Sequence, residues 1–179
     1  MQRPHVSVFI ATSLDGFIAR EDGSIDFLDC VNMPGEDYGF AEFLARADTV
    51  VLGRGTWETV RSFGTWPFDG KRVAVLTHRA LPASHGEMAH AGELRPLLAR
   101  LHAEGARQVY LDGGHAIRQG LAENLVDDMT ISTIPVLLGR GRALFGSGVG
   151  ASTWDLLDSR AWASGLVRNT WRVRELPPA

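Results

Sequence analysis

The sequence predicts an α/β domain with a mainly parallel sheet and an antiparallel C-terminal end. Three observations carry this. First, Val6-Ser7-Val8-Phe9-Ile10-Ala11, Thr49-Val50-Val51-Leu52, Arg72-Val73-Ala74-Val75-Leu76 and Gln108-Val109-Tyr110-Leu111 are short apolar, β-branched runs. They read as buried strands, and the unbroken run at 49–52 suits a parallel strand covered on both faces. Second, segments with helical spacing lie between these runs. Third, residues 153–158 and 166–173 alternate in part around Ser164-Gly165, as a closing hairpin does.

In chain order, Thr12-Ser13-Leu14-Asp15-Gly16 turns after the first strand, and Phe17-Ile18-Ala19 is apolar again. Residues 20–24 are polar around Gly23 and form a loop. Residues 25–34 have no clear period and read as an irregular segment, a candidate active-site flap. Phe40, Phe43, Leu44 and Ala47 have helical spacing, with Glu36 and Asp37 suiting the dipole at the start. The strand at 49–52 then enters Gly53-Arg54-Gly55-Thr56, followed by a helix from about 56 to 63. A helix N-terminus behind a glycine turn favours an anion. Arg54 can add a bidentate phosphate contact, and Thr56 a hydroxyl and an N-cap. The same pattern also fits an ordinary strand–turn–helix junction.

The strand at 72–76 runs into Thr77-His78-Arg79, which can hold a phosphate or be a solvated strand end. Residues 93–104 form a helix with Leu94, Leu97, Leu98 and Leu101 on one face, Pro96 in its first turn and Gly105 as its stop. After the strand at 108–111, Asp112-Gly113-Gly114-His115 leads into a helix over 116–121. This is a second strand–glycine turn–helix unit, and paired glycines let a backbone approach a ligand closely. Two such turns point to a nucleotide. Neither has the three-glycine Rossmann spacing or a Walker lysine. Residues 129–138 are β-rich, with Pro135 marking a bend or edge. Gly139-Arg140-Gly141-Arg142 turns, and Ala143-Leu144-Phe145 begins a short element.

A chain of 179 residues, 45% hydrophobic and 22% charged, suits one soluble domain spanning 1–179. The net charge of −3 gives no reason to expect nucleic acid or an anionic membrane as partner. Cys30 is the single cysteine, which excludes an internal disulfide and a zinc site built on cysteine pairs. The N-terminus lacks the apolar core of a signal peptide, and no run approaches the roughly 20 residues that cross a bilayer. A cytoplasmic location is expected.

Four motifs, in order along nearly the whole chain, resemble the dihydrofolate reductase superfamily. They are Ser13-Leu14-Asp15-Gly16-Phe17-Ile18-Ala19, Val51-Leu52-Gly53-Arg54-Gly55-Thr56-Trp57-Glu58, Leu111-Asp112-Gly113-Gly114, and Ile134-Pro135-Val136-Leu137-Leu138-Gly139-Arg140-Gly141 with Leu144-Phe145. The last is similar to the branch that holds the C-terminal reductase domain of bacterial riboflavin biosynthesis. The resemblance implies a three-layer fold with a twisted sheet and an NADPH groove across its strand ends. It implies that Gly53, Arg54, Gly55 and Thr56 hold phosphates, and that Leu76, Thr77, His78 and Arg79 surround the adenosine 2′-phosphate. Asp112, Gly113, Gly114 and His115 would cover the pyrophosphate, and Ala11, Thr12, Ile18 and Ala19 would line the nicotinamide.

On the substrate side, the resemblance places Asp37 where dihydrofolate reductases carry a ring-binding acid. In an apolar pocket near Phe40 and Trp57, its raised pKa would make it a proton relay and the catalytic residue. Alternatively, Asp37 caps the helix with Glu36. Ser132 falls where the family has a substrate-facing hydroxyl, or is a half-buried strand serine. Arg140 and Arg142, or Arg61, could bind a substrate phosphate. The sequence also departs from the family. Gly55 is small where relatives carry a long or basic residue, Asp112 sets a charge beside the pyrophosphate, residues 25–34 lack the tryptophan-proline flap, and no zinc deaminase motif is present. The implied activity is hydride transfer from NADPH to a C=N bond of a pterin-like or ribosylamino-pyrimidine small molecule, in a homodimer. The alternatives are a non-catalytic NADP(H)-binding sensor and a scaffold of the same fold.

Overall fold

A computed structural model describes residues 2–174. The elements are β1 (His5–Ser13), β2 (Phe17–Ala19), a 3-10 helix (Asp26–Val31), α1 (Phe40–Arg46), β3 (Thr49–Gly53) and α2 (Arg54–Arg61). They continue as β4 (Arg72–Leu76), β5 (Met88–His90), α3 (Leu94–Ala103), β6 (Gln108–Asp112), α4 (Gly114–Ala122) and β7 (Asp128–Ile134). β8 (Arg142–Ala143), β9 (Trp154–Ala161) and β10 (Val167–Val173) close the chain.

The main sheet has the order β5-β4-β3-β6-β1-β7-β10-β9. Every pair from β5 to β7 is parallel, and β10 is antiparallel to both β7 and β9. The predicted parallel core and C-terminal hairpin are therefore both present. Parallel strands need crossovers, and helices supply most of them. The helices cover both faces, which makes three layers. On one face, Val6, Val8, Val51, Leu111 and Ala74 meet the leucines of α3 and Ala116, Ile117 and Leu121 of α4. On the other, Val50, Leu52, Val73, Val75 and Tyr110 meet Phe43 of α1 and Trp57 and Val60 of α2. β3 is buried along its whole length, so it reads as an unbroken apolar run rather than an alternating one. Leu94, Leu97, Leu98 and Leu101 of α3 are fully buried, and each such side chain contributes about 1.5–3 kcal/mol by leaving water.

The structure adds short pieces that periodicity missed. Residues 25–34 are not irregular throughout. Within them a 3-10 helix buries Phe27 and Val31 against Ile134 and Leu166. β2 and β8 form a separate two-stranded sheet, in which β2 is the apolar stretch 17–19 and β8 joins the end of the predicted turn to the start of the short element at Ala143. β5 adds an edge strand beside β4. α2 begins at Arg54, so Thr56 is not its N-cap. Gly53 holds that position, and no side chain caps the helix. Asp15 of the first turn accepts hydrogen bonds from Ser13 Oγ (2.6 Å), Leu138 N (3.1 Å) and Gly139 N (2.7 Å). It thereby ties the end of β1 to the loop before β8. These three donors, the serine hydroxyl foremost, pull its carboxyl down to about 2. Among the described residues, no helix is long and apolar enough to cross a membrane.

Candidate functional site

β3 feeds α2, and β6 feeds α4, with no intervening loop. Both helices therefore start at the carboxyl edge of the sheet, where open α/β sheets bind ligands. Neither α2 nor α4 has a side-chain N-cap, so their first N–H groups are available to an anion. β3 and β6 are neighbours, with Leu52 opposite Asp112, so the two turns lie side by side. Gly113 sits at φ +105°, a backbone region that favours glycine. A Cβ there would lie 2.7 Å from Thr56 Oγ1 and 3.1 Å from Gly53 N. The two glycine turns are packed against each other as one unit.

Over this unit runs a groove of about 1110 Å³. Among the predicted cofactor residues, Ala11, Ile18, Ala19, Gly53, Arg54, Gly55, Thr56, Leu76, Asp112, Gly113, Gly114 and His115 line it. Phe40 lines it as well, with Ile25 and Leu28 of the predicted flap. The fit to a dinucleotide rests on two uncapped helix starts, glycine turns without Cβ atoms between them, and a groove of ample volume.

Other predicted residues sit elsewhere. Thr12 is buried and takes the opposite side of β1 from Ala11. Thr77, His78 and Arg79 follow β4 beyond Leu76, and they are not groove walls. Thr77 Oγ1 accepts the Arg79 N–H at 3.1 Å, which makes a local turn. The Arg54 guanidinium is already committed. It donates to Glu58 (2.7 Å) and to the Ala80 carbonyl (2.9 Å), and it lies 4.9 Å from the Trp57 ring centroid. Trp57 is a core residue rather than a substrate contact, and its Nε1 donates to the buried Glu87 at 3.0 Å. Glu87 also accepts N–H groups of Ser84 and His85, and so pins the loop after β4 to α2. Arg61 stacks on Trp57, and exposed Arg140 faces Glu21 at 3.5 Å. Of the three candidate phosphate arginines, only Arg142 lines the groove.

Asp37 is corrected. It is exposed, and its carboxylate accepts the N–H groups of Ala41 (2.8 Å) and Gly39 (2.9 Å) at the start of α1. Those backbone donors, Ala41 first, hold its carboxyl below the ordinary range rather than above it. The capping alternative describes it, and it cannot serve as a buried proton relay. Ser132 is buried opposite Ala11, with its Oγ unpartnered, but it does not line the groove.

Asp22, Glu58 and Asp112 are the acids of the groove lining, and of these Asp112 sits at the glycine turn between β6 and α4. Its carboxyl accepts the Tyr110 hydroxyl at 2.8 Å and its neighbour Gly113 N–H at 2.7 Å. Burial pushes it above the ordinary carboxylate range, against both of these hydrogen bonds, which favour the charged form. Tyr110, whose hydroxyl also reaches the Phe9 carbonyl at 3.2 Å, is itself buried, and burial raises it well above the ordinary phenol range. The sequence contained a signal for this pair: residues i and i+2 of a strand share a face.

A three-layer α/β fold with a ligand groove across the carboxyl edge of its parallel strands is the dihydrofolate-reductase-like class. The chain belongs to the RibD C-terminal domain family, whose model matches residues 4–168. It is 38% identical over 149 residues to the uncharacterized protein YwjB of Bacillus subtilis, covering 81% of this chain and 84% of that one. It is 28% identical over 157 residues to the riboflavin biosynthesis protein RibD of Corynebacterium ammoniagenes, covering 79% of this chain and 46% of RibD. Among solved structures, a putative riboflavin biosynthesis protein from Shewanella sp. PV-4 superposes with a TM-score of 0.88 at 36% identity, over 96% of this chain and 99% of that one.

Proposed function

We propose that the chain is an NADPH-dependent reductase of a C=N bond in a flat small molecule, with Asp112 as the proton source. The observation that carries this reading is the placement of one protonatable carboxyl between two anion-binding helix starts. When bound, the nucleotide supplies the hydride. The residues of this chain do the rest. The N–H groups at the starts of α2 and α4 hold the diphosphate, and the absence of a Cβ at Gly113 lets the two starts pack side by side. Ala11, Ile18 and Ala19 form the apolar wall for the nicotinamide, and Phe40, Ile25 and Leu28 receive the substrate ring. Asp112, whose proton is retained more strongly than an ordinary carboxyl's because burial disfavours the charge, gives that proton to the substrate nitrogen as the carbon takes the hydride, so that C=N becomes CH–NH. The Tyr110 hydroxyl orients the carboxyl.

The test is a fluorescence titration with NADPH and NADH, followed by single-turnover oxidation of bound NADPH with dihydrofolate and with a ribosylamino-pyrimidine. Saturable NADPH binding, with turnover lost in Asp112→Asn while binding persists, is expected. Failure of both nucleotides to bind at millimolar concentration would overturn the reading. Binding with no oxidation of any imine would favour the sensor alternative.

A further inference from the structure

The opposite end of the sheet holds a second cavity, of about 430 Å³, at the amino ends of β1, β6 and β7. Its floor is Phe43, Ala47 and the ring of Tyr110, and its rim carries His5, Arg46, Asp128 and Arg172. The carboxylates here are already matched. Asp127 takes Arg3 bidentately at 2.6 and 2.7 Å, and Asp128 Oδ2 takes His5 Nε2 at 2.5 Å and Ser7 Oγ at 3.0 Å. Arg46 and Arg172 are not matched. Among the described residues, neither has a side-chain hydrogen bond or an ion pair, and both are exposed. Arg46 lies 5.7 Å from the Phe43 ring centroid, and Arg172 is the cross-strand neighbour of Asp128. The rim therefore has two cations in excess around an aromatic floor.

We propose that this cavity is a binding site for a small organic dianion, whose head is held by Arg46 and Arg172 and whose apolar end reaches the bottom formed by Phe43, Ala47 and Tyr110. Two guanidinium forks suit the oxygens of a phosphate or a carboxylate pair. The edge-to-face Phe43–Tyr110 pair, 5.1 Å apart and almost wholly buried, closes the bottom of the cavity with apolar surface. His5 sets the charge of the rim. It faces Arg3, Asp127 and Asp128 on its own side, and Arg46 and Arg172 across the cavity. Its hydrogen bond to Asp128 raises its pKa, so it neutralises that carboxylate until the pH passes its folded value. Above that, the charge of Asp128 offsets one of the two arginines, and the dianion binds more weakly. This site is independent of the reading given to the groove.

The probe is phenyl phosphate, with phthalate as the dicarboxylate and inorganic phosphate as the head group alone, titrated calorimetrically into the full chain. One phenyl phosphate or phthalate per chain is expected, tighter than inorganic phosphate. Affinity falls about tenfold or more in Arg46→Gln and in Arg172→Gln, falls as the pH rises through the His5 range, and is unchanged in the groove variant His115→Ala. Both arginines are exposed, so the variants fold, which thermal melts verify. Absence of binding by either organic probe at millimolar concentration overturns the proposal. So does binding that survives both arginine substitutions, or that is lost in His115→Ala.

Discussion

The two ends of the parallel sheet solve the problem of local charge in opposite ways. At the carboxyl end, the chain leaves backbone donors open. α2 and α4 begin without side-chain caps, and glycines at 53, 113 and 114 keep side chains out of the way. At the amino end, the charge sits on side chains, and most of it is cancelled internally, with Arg3 on Asp127 and His5 on Asp128. The difference follows from chain direction. Where a strand runs straight into a helix, the positive end of the helix dipole must lie at the strand's carboxyl end. The lesson is that one end is specified by backbone geometry and the other by side-chain chemistry, so different substitutions should break each.

The largest expected effect is Gly113→Ala. The added Cβ meets Thr56 Oγ1 and Gly53 N, and the left-handed φ adds strain of about 1–3 kcal/mol. NADPH affinity should fall about a hundredfold, equivalent to about 3 kcal/mol, and Tm should drop. Phenyl phosphate binding at the other end should be unaffected. Equal loss at both ends would mean that the ends are not independent.

Next is Asp112→Asn, expected to lower turnover about 10²- to 10³-fold, as loss of a general acid does. It should also raise Tm at neutral pH. The folded pKa of Asp112 lies above its unfolded value, so ionisation costs stability as the pH rises past the unfolded value. The neutral amide removes that cost, and the gain in Tm should vanish in acid, where Asp112 is protonated in both states. A neutral-pH Tm no higher than that of the parent chain would deny the charge burial. Smaller still is Tyr110→Phe. The phenol favours the ionised Asp112, so its loss should move the basic fall of turnover with pH to a higher value. A profile that stays in place would separate Tyr110 from the chemistry.

The smallest effect belongs to the amino end. The His5 hydrogen bond to Asp128 raises the histidine pKa. Its stabilisation is therefore full below the unfolded pKa and lost as the pH rises through the folded one. With the His5 side chain 39% exposed, solvent screening limits this to below about 1 kcal/mol. Thermal melts against pH should show a shallow decline that His5→Gln lacks.

How legible each end was in the sequence follows the same division. The apolar runs at 49–52 and 72–76 and the leucines of α3 carried their own periodicity, so the sheet and its glycine turns could be read directly. β5 and the β2–β8 pair are too short to carry a period, and their neighbours hold them in place. Asp37 failed for a different reason. The position that the resemblance gives Asp37 requires the helix to run on through it, but Tyr38 at φ +56° and Gly39 at φ +86° turn the chain before Phe40, which leaves Asp37 outside the groove. Asp112 was read as a liability beside the diphosphate. Its direction was set by Tyr110 two residues earlier, a period-2 relation that residue-by-residue matching overlooks.

The close packing of Gly53, Thr56 and Gly113 also bears on the thermodynamics of filling the groove. Two turns from distant parts of the chain are locked together before any ligand arrives, so little conformational freedom remains to be lost on binding. Occupancy should therefore bring a small ordering entropy, and hydrogen exchange at the starts of α2 and α4 should be slow already in the free protein.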